Sequence, residues 1–247
     1  MTTIIAHRGA RNIWPENTMT GFRNAIGLGI TATEFDIHLT KAGELVVIHD
    51  PTIDRTAETT GVVADLTPEQ RKAVKLKGSD DGIPSLDEVL ALLAQHPQIE
   101  FHAEIKAGVG GVPYEGLEKL VAEALHKHGV ADRAYMTSFN PSVLEKIREA
   151  DPTIRRLISM NRESAEKFGG YEALLARGME LAEVIAVNYE LFEEKFDDLV
   201  TKVGLDKLCV WTPNEPELIR KWLERKPGFL CTDRPDIGLE IAKELGV

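Results

Sequence analysis

The side chains best suited to chemistry lie in one segment, EFDIHLTKAGELVVIHD, at residues 34–50. With a strand period of two, Glu34 and Asp36 point to one side, and the residues that alternate with them are apolar. Two carboxylates this close resist joint ionisation unless a cation lies between them. A short turn and a second strand, 45–48, then deliver His49. The segment therefore predicts a metal site with an acid/base group beside it.

A third acidic residue belongs to a later strand. In the strand predicted over 99–105, Glu104 faces the same side as the following Lys106, and the residues between them face the opposite side. Together with Glu34 and Asp36, Glu104 completes an all-oxygen donor set. Such a set suits Mg²⁺, Ca²⁺ or Mn²⁺, whereas zinc prefers nitrogen and sulfur ligands. Taken alone, Glu104 and Lys106 are more typical of a surface charge pair than of a functional site.

The elements that must position these residues alternate along the chain. Apolar periodicity predicts strands at 3–6, in the 32–50 hairpin, and at 99–105, 133–138, 154–159, 183–187, 207–211 and 229–232. Helices are expected after residue 18 and at 68–75, 85–95, 114–128, 141–150, 163–177, 191–203, 215–225 and 236–245.

The connection at 40–44 is too short for a parallel crossover, so the strand at 45–48 must run antiparallel to its predecessor. Eight parallel strands remain. The predicted fold class is α/β, a (β/α)₈ TIM barrel forming a single domain over 1–247. A small insertion at about residues 51–84 follows the second barrel strand and its hairpin. Because barrel enzymes place their chemistry at the carboxyl ends of the strands, the charged residues found there mark the expected site.

The composition and net charge of the chain limit the kinds of partner that it can bind. The 247-residue chain is 43% hydrophobic and 28% charged, enough to bury a full core. Its formal net charge of −11 argues against sequence-independent binding of nucleic acid or anionic lipid. The two cysteines, Cys209 and Cys231, are too few for a disulfide framework. The start of the chain lacks a leader pattern and no apolar run reaches spanning length, so cytoplasmic location without membrane insertion is expected.

Several segments, in this order and spread over the whole chain, resemble the glycerophosphodiester phosphodiesterase family. They are HRGARNIWPENT (7–18), EFDIHLTKAGELVVIHD (34–50), DRT (54–56), IPSLDEVL (83–90), EIK (104–106), SF (138–139), VWTPN (210–214) and TDRP (232–235). Any one of these motifs is weakly specific, but their joint occurrence in one order is highly specific.

The resemblance implies metal-dependent hydrolysis of a small glycerophosphodiester to glycerol 3-phosphate and an alcohol, with one divalent cation, Mg²⁺, Ca²⁺ or Mn²⁺. Matching motifs imply metal ligation by Glu34, Asp36 and Glu104, acid/base catalysis by His7 and His49, phosphate contact by Arg8, added positive charge from Lys106, and a glycerol wall of Phe139 and Trp211. Phe139 and Trp211 are as typical of a core as of such a wall. The 51–84 insertion is expected to lie over the barrel mouth and to influence head-group choice.

Two other functions stay open. A lysophospholipase D or phosphoinositide-type phosphodiesterase on the same fold ranks lower, because no basic amphipathic helix is evident and only 6% of residues are aromatic. A non-catalytic barrel that binds metal and phosphate would not need both His7 and His49.

Asp50 is read as a turn residue or as an orienting partner of His49, and Asp233 as a cap or tie for the last loop. The head group, the ion, the assignment of acid and base, and a homo-oligomer are left open.

Overall fold

Eight parallel strands close into a barrel in the computed structural model, which describes residues 1–247. With one further strand the sheet has nine, which are β1 (Thr3–Ala6), β2 (Ala32–Leu39), β3 (Leu45–Val47), β4 (Glu100–Ile105), β5 (Ala134–Ser138), β6 (Arg155–Met160), β7 (Val184–Asn188), β8 (Leu208–Trp211) and β9 (Phe229–Thr232). As predicted from its short connection, β3 is antiparallel to β2 and lies outside the barrel order.

Helices alternate with the barrel strands. They are α1 (Met19–Gly27), α2 (Pro68–Ala73), α3 (Leu86–Ala94), α4 (Leu117–Lys127), α5 (Pro141–Ala150), α6 (Arg162–Lys167), α7 (Tyr171–Leu181), α8 (Tyr189–Glu194), α9 (Phe196–Lys202), α10 (Pro216–Arg225) and α11 (Pro235–Leu245). The prediction of a (β/α)₈ TIM barrel is confirmed. No helix has the length and apolar run that a bilayer crossing requires.

Barrel closure decides which strand ends become neighbours. β1 pairs with β9, where Ala6 is opposite Thr232, and on its other side with β2, where Ile5 is opposite Ala32. β2 in turn pairs with β4, which sets Asp36 opposite Glu104. The carboxyl ends of β9, β1, β2 and β4 therefore stand side by side, although they come from both ends of the chain.

Strand alternation separates the outer core from the barrel interior. On β2, Phe35 and Ile37 face the surrounding helices and are fully buried. The Phe35 ring packs edge-on against Phe22 of α1 at 5.9 Å and stacks on Phe101 of β4 at 5.7 Å. Burying each such side chain stabilises the fold by about 1.5–3 kcal/mol. This packing fixes β2 in a register that turns its acidic residues inward.

Two predicted helices are each divided in two. The helix expected over 163–177 is broken at Gly169 and Gly170, whose φ values of 92° and 99° are incompatible with a right-handed helix. The helix expected over 191–203 is interrupted at Lys195, where φ is −107° and ψ is 18°. In both places the apolar pattern continues through the break, so periodicity alone indicated one helix.

The 51–84 insertion has a small apolar core of its own. Ile53, Val63 and Leu76 pack against Val46 and Ile48 of the β3 region. The insertion includes α2, whose Thr67 and Gln70 form a reciprocal capping box. It therefore packs on the outer hairpin strand.

Candidate active site

A cavity of about 570 Å³ opens at the carboxyl ends of the strands and extends into the barrel. Seven of the predicted site residues line it: His7, Arg8, Glu34, His49, Glu104, Phe139 and Trp211. Asp36 and Lys106 contact these residues from the side. The strands thus bring all nine predicted residues together. No residue of the 51–84 insertion lines the cavity, and the expected influence of this segment on head-group choice stays a prediction.

Glu34, Asp36 and Glu104 form a buried cluster of carboxylates. Each offers an oxygen atom, and these three atoms lie within 4.8 Å of one another, so the group could hold a metal ion. Two cations flank it. Lys106 Nζ is 2.8 Å from Glu104 and 3.4 Å from Asp36, and Arg8 Nε is 3.3 Å from Asp36.

The cluster shifts the pKa values of its members in opposite directions. Burial, and then the charges of Asp36 and Glu104, raise the pKa of Glu34 well above its ordinary value. Burial also opposes ionisation of Asp36, but Lys106 and Arg8 outweigh it and lower the pKa of that carboxyl. The two cations therefore serve mainly Asp36, and Glu34 is left short of positive charge.

His7 is held by an aspartate from the far end of the chain. Its Nδ1 lies 2.5 Å from Asp233 Oδ1, and the other oxygen of Asp233 accepts from Asn214 Nδ2 at 2.8 Å and pairs with Arg11 Nε at 2.9 Å. Although burial opposes it, the bond from His7 lowers the pKa of Asp233 to about 2. Burial lowers the pKa of His7. His7 Nε2 is 3.8 Å from Glu34, inside the cavity.

His49 has a matching arrangement. Its Nδ1 lies 2.6 Å from Oδ1 of the adjacent Asp50, whose other oxygen accepts from Arg55 Nε at 2.6 Å. Behind the ring, His38 Nε2 donates to the His49 carbonyl at 3.0 Å, and the Tyr114 hydroxyl bonds His38 Nδ1 at 2.9 Å. His49 is thereby fixed through both its side chain and its backbone.

The turn after β1 aims Arg8 at the acidic cluster. Arg8 adopts a left-handed backbone with φ of 52°, which is uncommon outside glycine and typical of constrained functional positions. Its backbone N–H donates to Glu34 Oε2 at 3.1 Å, and its Nη1 donates to Glu16 at 3.2 Å. Asn17, which also has a positive φ, donates from Nδ2 to Asp36 at 2.9 Å. The HRG and PENT motifs therefore build one loop around the carboxylates.

Phe139 and Trp211 form one wall of the cavity. Their rings meet edge to face with centroids 5.5 Å apart and an interplanar angle of 89°. Phe139 follows β5 and Trp211 ends β8, so both lie at the barrel mouth. Both residues line the cavity and are partly exposed, so neither occupies a fully buried core position.

Sequence reasoning missed several contacts at the site. Asp233 holds the last loop through Asn214, as expected of a tie, but its bond to His7 was not predicted. Glu16 and Arg55, known from the sequence only as motif members, bind each other through two hydrogen bonds of 2.7 and 2.8 Å. One indication of a role for Asp233, Glu16 and Arg55 was present in the sequence, because each follows the carboxyl end of a strand or its hairpin.

His102, for which the sequence suggested no role, lies deep in the same cavity. It is 3% exposed, it packs against Tyr135 and Phe229, and its Nε2 has no hydrogen-bond partner. Burial lowers its pKa to about 3. The ring is therefore neutral near pH 7.

Comparison with known proteins identifies the family of the chain. The sequence profile of the Glycerophosphoryl diester phosphodiesterase family matches residues 7–237. A glycerophosphodiester phosphodiesterase from Caldanaerobacter subterraneus subsp. tengcongensis is 30% identical over 251 aligned residues, covering 99% of each chain. A crystal structure from Agrobacterium tumefaciens, whose name proposes the same activity, superimposes with a TM-score of 0.91 at 29% identity, covering 100% of this chain and 99% of that one.

The fold is also shared with an Oleispira antarctica phosphodiesterase solved in complex with the product sn-glycerol-3-phosphate. That structure has a TM-score of 0.84 at 23% identity and covers 98% of this chain and 97% of its own. The profile match extends over almost the whole chain, and the alignment with the Caldanaerobacter relative covers 99% of each chain. The chain belongs to the glycerophosphoryl diester phosphodiesterase family and is a phosphoric diester hydrolase.

Proposed function

We propose that the protein hydrolyses glycerophosphodiesters to glycerol 3-phosphate and an alcohol, using a divalent cation and two histidines as acid and base. The observation that best supports this is a single cavity that joins His7 and His49 to the carboxylates of Glu34 and Glu104. Phosphodiester hydrolysis requires charge stabilisation on the phosphoryl oxygens and proton transfer at the attacking and leaving oxygens. This cavity offers side chains for both.

The carboxylates fit a hard divalent cation. Glu34, Asp36 and Glu104 present only oxygen donors, which suit Mg²⁺, Ca²⁺ or Mn²⁺. Asp36 Oδ1 is buried without a hydrogen-bond partner, and its nearest cation, Lys106 Nζ, is 3.4 Å away. The raised pKa of Glu34 also indicates a shortage of positive charge. A cation bound there polarises a phosphoryl oxygen and activates an oxygen nucleophile.

The two histidines are prepared for proton transfer in the same way. Each uses Nδ1 to bond an aspartate, Asp233 for His7 and Asp50 for His49, which leaves Nε2 for the substrate. As a P–O bond forms to the attacking oxygen, one imidazole accepts its proton. As the P–O bond to the alcohol breaks, the other imidazole donates a proton to the leaving oxygen. Such catalysis typically contributes about 10²–10⁴-fold to the rate.

Arg8 and Lys106 are the candidate phosphate-binding residues. Both are mostly buried, and both lie within 3.5 Å of Asp36. Arg8 Nε is buried and has no hydrogen-bond partner, so it retains donor capacity. A planar guanidinium matches the spacing of phosphate oxygens, and an ammonium adds a point charge. The edge-to-face pair of Phe139 and Trp211 supplies an apolar surface for the carbon atoms of the glycerol.

The test compares two diesters. The purified protein, supplied with Mg²⁺, Mn²⁺ or Ca²⁺, is incubated with glycerophosphocholine and separately with lysophosphatidylcholine, and glycerol 3-phosphate and choline are quantified. We expect rapid release of glycerol 3-phosphate from glycerophosphocholine and a strong reduction of that rate in both His7→Ala and His49→Ala. Faster cleavage of the lysolipid would favour the lysophospholipase D alternative. No turnover of either diester would contradict the proposal.

A further inference from the structure

The Arg55 side chain lies between two parts of the site without reaching the cavity. Its Nε donates to Asp50 Oδ2 at 2.6 Å, and its two terminal nitrogens donate to the two oxygens of Glu16 at 2.7 and 2.8 Å. Arg55 belongs to the 51–84 insertion, and it is absent from the cavity lining. The guanidinium therefore forms no part of the cavity wall.

Each of the two carboxylates that accept from Arg55 also binds a proposed functional residue. Asp50 Oδ1 bonds Nδ1 of His49 at 2.6 Å, and Glu16 Oε1 accepts from Arg8 at 3.2 Å. The chain of contacts runs from the acid/base ring through one guanidinium to the phosphate-binding arginine. A single residue of the insertion thus fixes carboxylates that serve two different functions.

We propose that Arg55 is a positioning residue that fixes the Asp50 carboxylate, and thereby the tautomer and orientation of His49, while its two bonds to Glu16 anchor the guanidinium. This inference rests on the proposed function. Asp50 follows His49 directly and is partly exposed, so its carboxylate has little else to restrain it. The fork of an arginine restrains two carboxylates in one geometry, which an ammonium cannot reproduce.

A role in folding stability alone is disfavoured by exposure. The Arg55 side chain is 47% exposed, and ion pairs at that exposure contribute little to stability. The insertion has its own apolar core, built from residues such as Ile53 and Leu76, and its backbone contacts do not depend on the guanidinium. Removing the guanidinium should therefore change catalysis much more than unfolding.

The kinetic test uses Arg55→Gln, with Lys75→Gln as the matched control. Lys75 is an exposed cation of the same insertion that forms no ion pair. We expect kcat for glycerophosphocholine to fall about 10²-fold in Arg55→Gln, because small misplacements of catalytic groups have effects of this size. Arg55→Lys should be intermediate, and Lys75→Gln should match the parent. In a His49→Ala background, the loss caused by Arg55→Gln should shrink to less than about threefold.

A second measurement does not require activity. The ¹⁵N chemical shifts of the His49 ring, recorded at a pH where it is neutral, report its tautomer. The parent should show the Nδ1–H form alone, and Arg55→Gln a mixture with the Nε2–H form. If the parent cleaves no glycerophosphodiester, the proposed function fails and these spectra still decide the role of Arg55. An unchanged tautomer in Arg55→Gln, or an equal loss of kcat with and without His49, would overturn the inference.

Discussion

The two histidine–aspartate pairs differ in how far apart their members lie in the chain. Asp50 is the neighbour of His49, so the sequence alone suggested that it orients the ring. Asp233 is 226 residues from His7, and only the pairing of β9 with β1 brings the two together. A local pattern carries no information on such a contact. The pair at His49 was therefore partly predictable, and the pair at His7 was not.

The Asp233 contact leads to a kinetic prediction. Asp233→Asn removes the charge that fixes the Nδ1–H form of His7, so kcat for glycerophosphocholine should fall by about 10²–10⁴-fold, the range of an acid/base contribution. KM should change much less, because Asp233 does not contact the phosphate site. The exposed Asp132, which forms no ion pair, provides the control variant Asp132→Asn. An Asp233→Asn protein with the kcat of the parent would remove this residue from the mechanism.

His102 leads to a prediction about stability and pH. Its pKa is about 3 in the folded protein and 6.5 when unperturbed, so between these values the unfolded chain binds a proton that the native state excludes. The free energy of unfolding therefore decreases as the pH falls from 6.5 towards 3, by about 1.4 kcal/mol per pH unit for this one residue.

The measurement is urea unfolding of the parent and His102→Leu at several pH values, in chelator. The variant should lose less stability on acidification than the parent. The half-buried His96, changed to Leu, is the control and should follow the parent. Parallel curves for the parent and His102→Leu would show that the buried ring does not carry this pH dependence.

At the scale of elements, strands were more predictable than helices. The β4 strand, expected at 99–105, runs over Glu100–Ile105, whereas the helix expected at 114–128 is reduced to Leu117–Lys127. Strands in this barrel are bounded by the charged residues of the site and by turns. Helix breaks depend on backbone conformation, such as the positive φ at Gly169 and Gly170, which the hydrophobic pattern does not encode.

A buried arginine adds polar contacts between the insertion and the barrel. Arg71 of α2 is 3% exposed, donates to both oxygens of Glu44, and contacts Glu88 and the Ile83 carbonyl. Arg71→Ala leaves these acceptors without their partner, and breaking a buried pair typically costs about 3–5 kcal/mol. Because Glu44 and Glu88 are partly exposed, we expect a loss at or below the lower end of this range.

Urea unfolding checks this expectation, with Lys72→Ala on the exposed side of α2 as control. Limited proteolysis of the folded variant should cut first within 51–84, since Arg71 joins that segment to the hairpin and to α3. An Arg71→Ala protein with the parent's unfolding midpoint and cleavage pattern would contradict the structural role of this residue.

The architecture of the whole molecule was predictable from the number of parallel strands. Once the 45–48 strand was recognised as antiparallel, eight parallel strands remained, and the barrel followed. The depth of the cavity could not be predicted from the strand count. It depends on the sizes of the side chains that line the interior, such as Ala186 and His102. A single domain over 1–247 and cytoplasmic location stay predictions.

The proposed function requires metal-dependent cleavage of a glycerophosphodiester in one cavity. The most direct test follows glycerol 3-phosphate release from glycerophosphocholine by the metal-stripped protein, in chelator and with Mg²⁺, Ca²⁺ or Mn²⁺ added separately. We expect no release in chelator, release with at least one of these ions, and loss of that release in Glu34→Gln. Full activity in excess chelator, or no activity with any of the three ions, would contradict it.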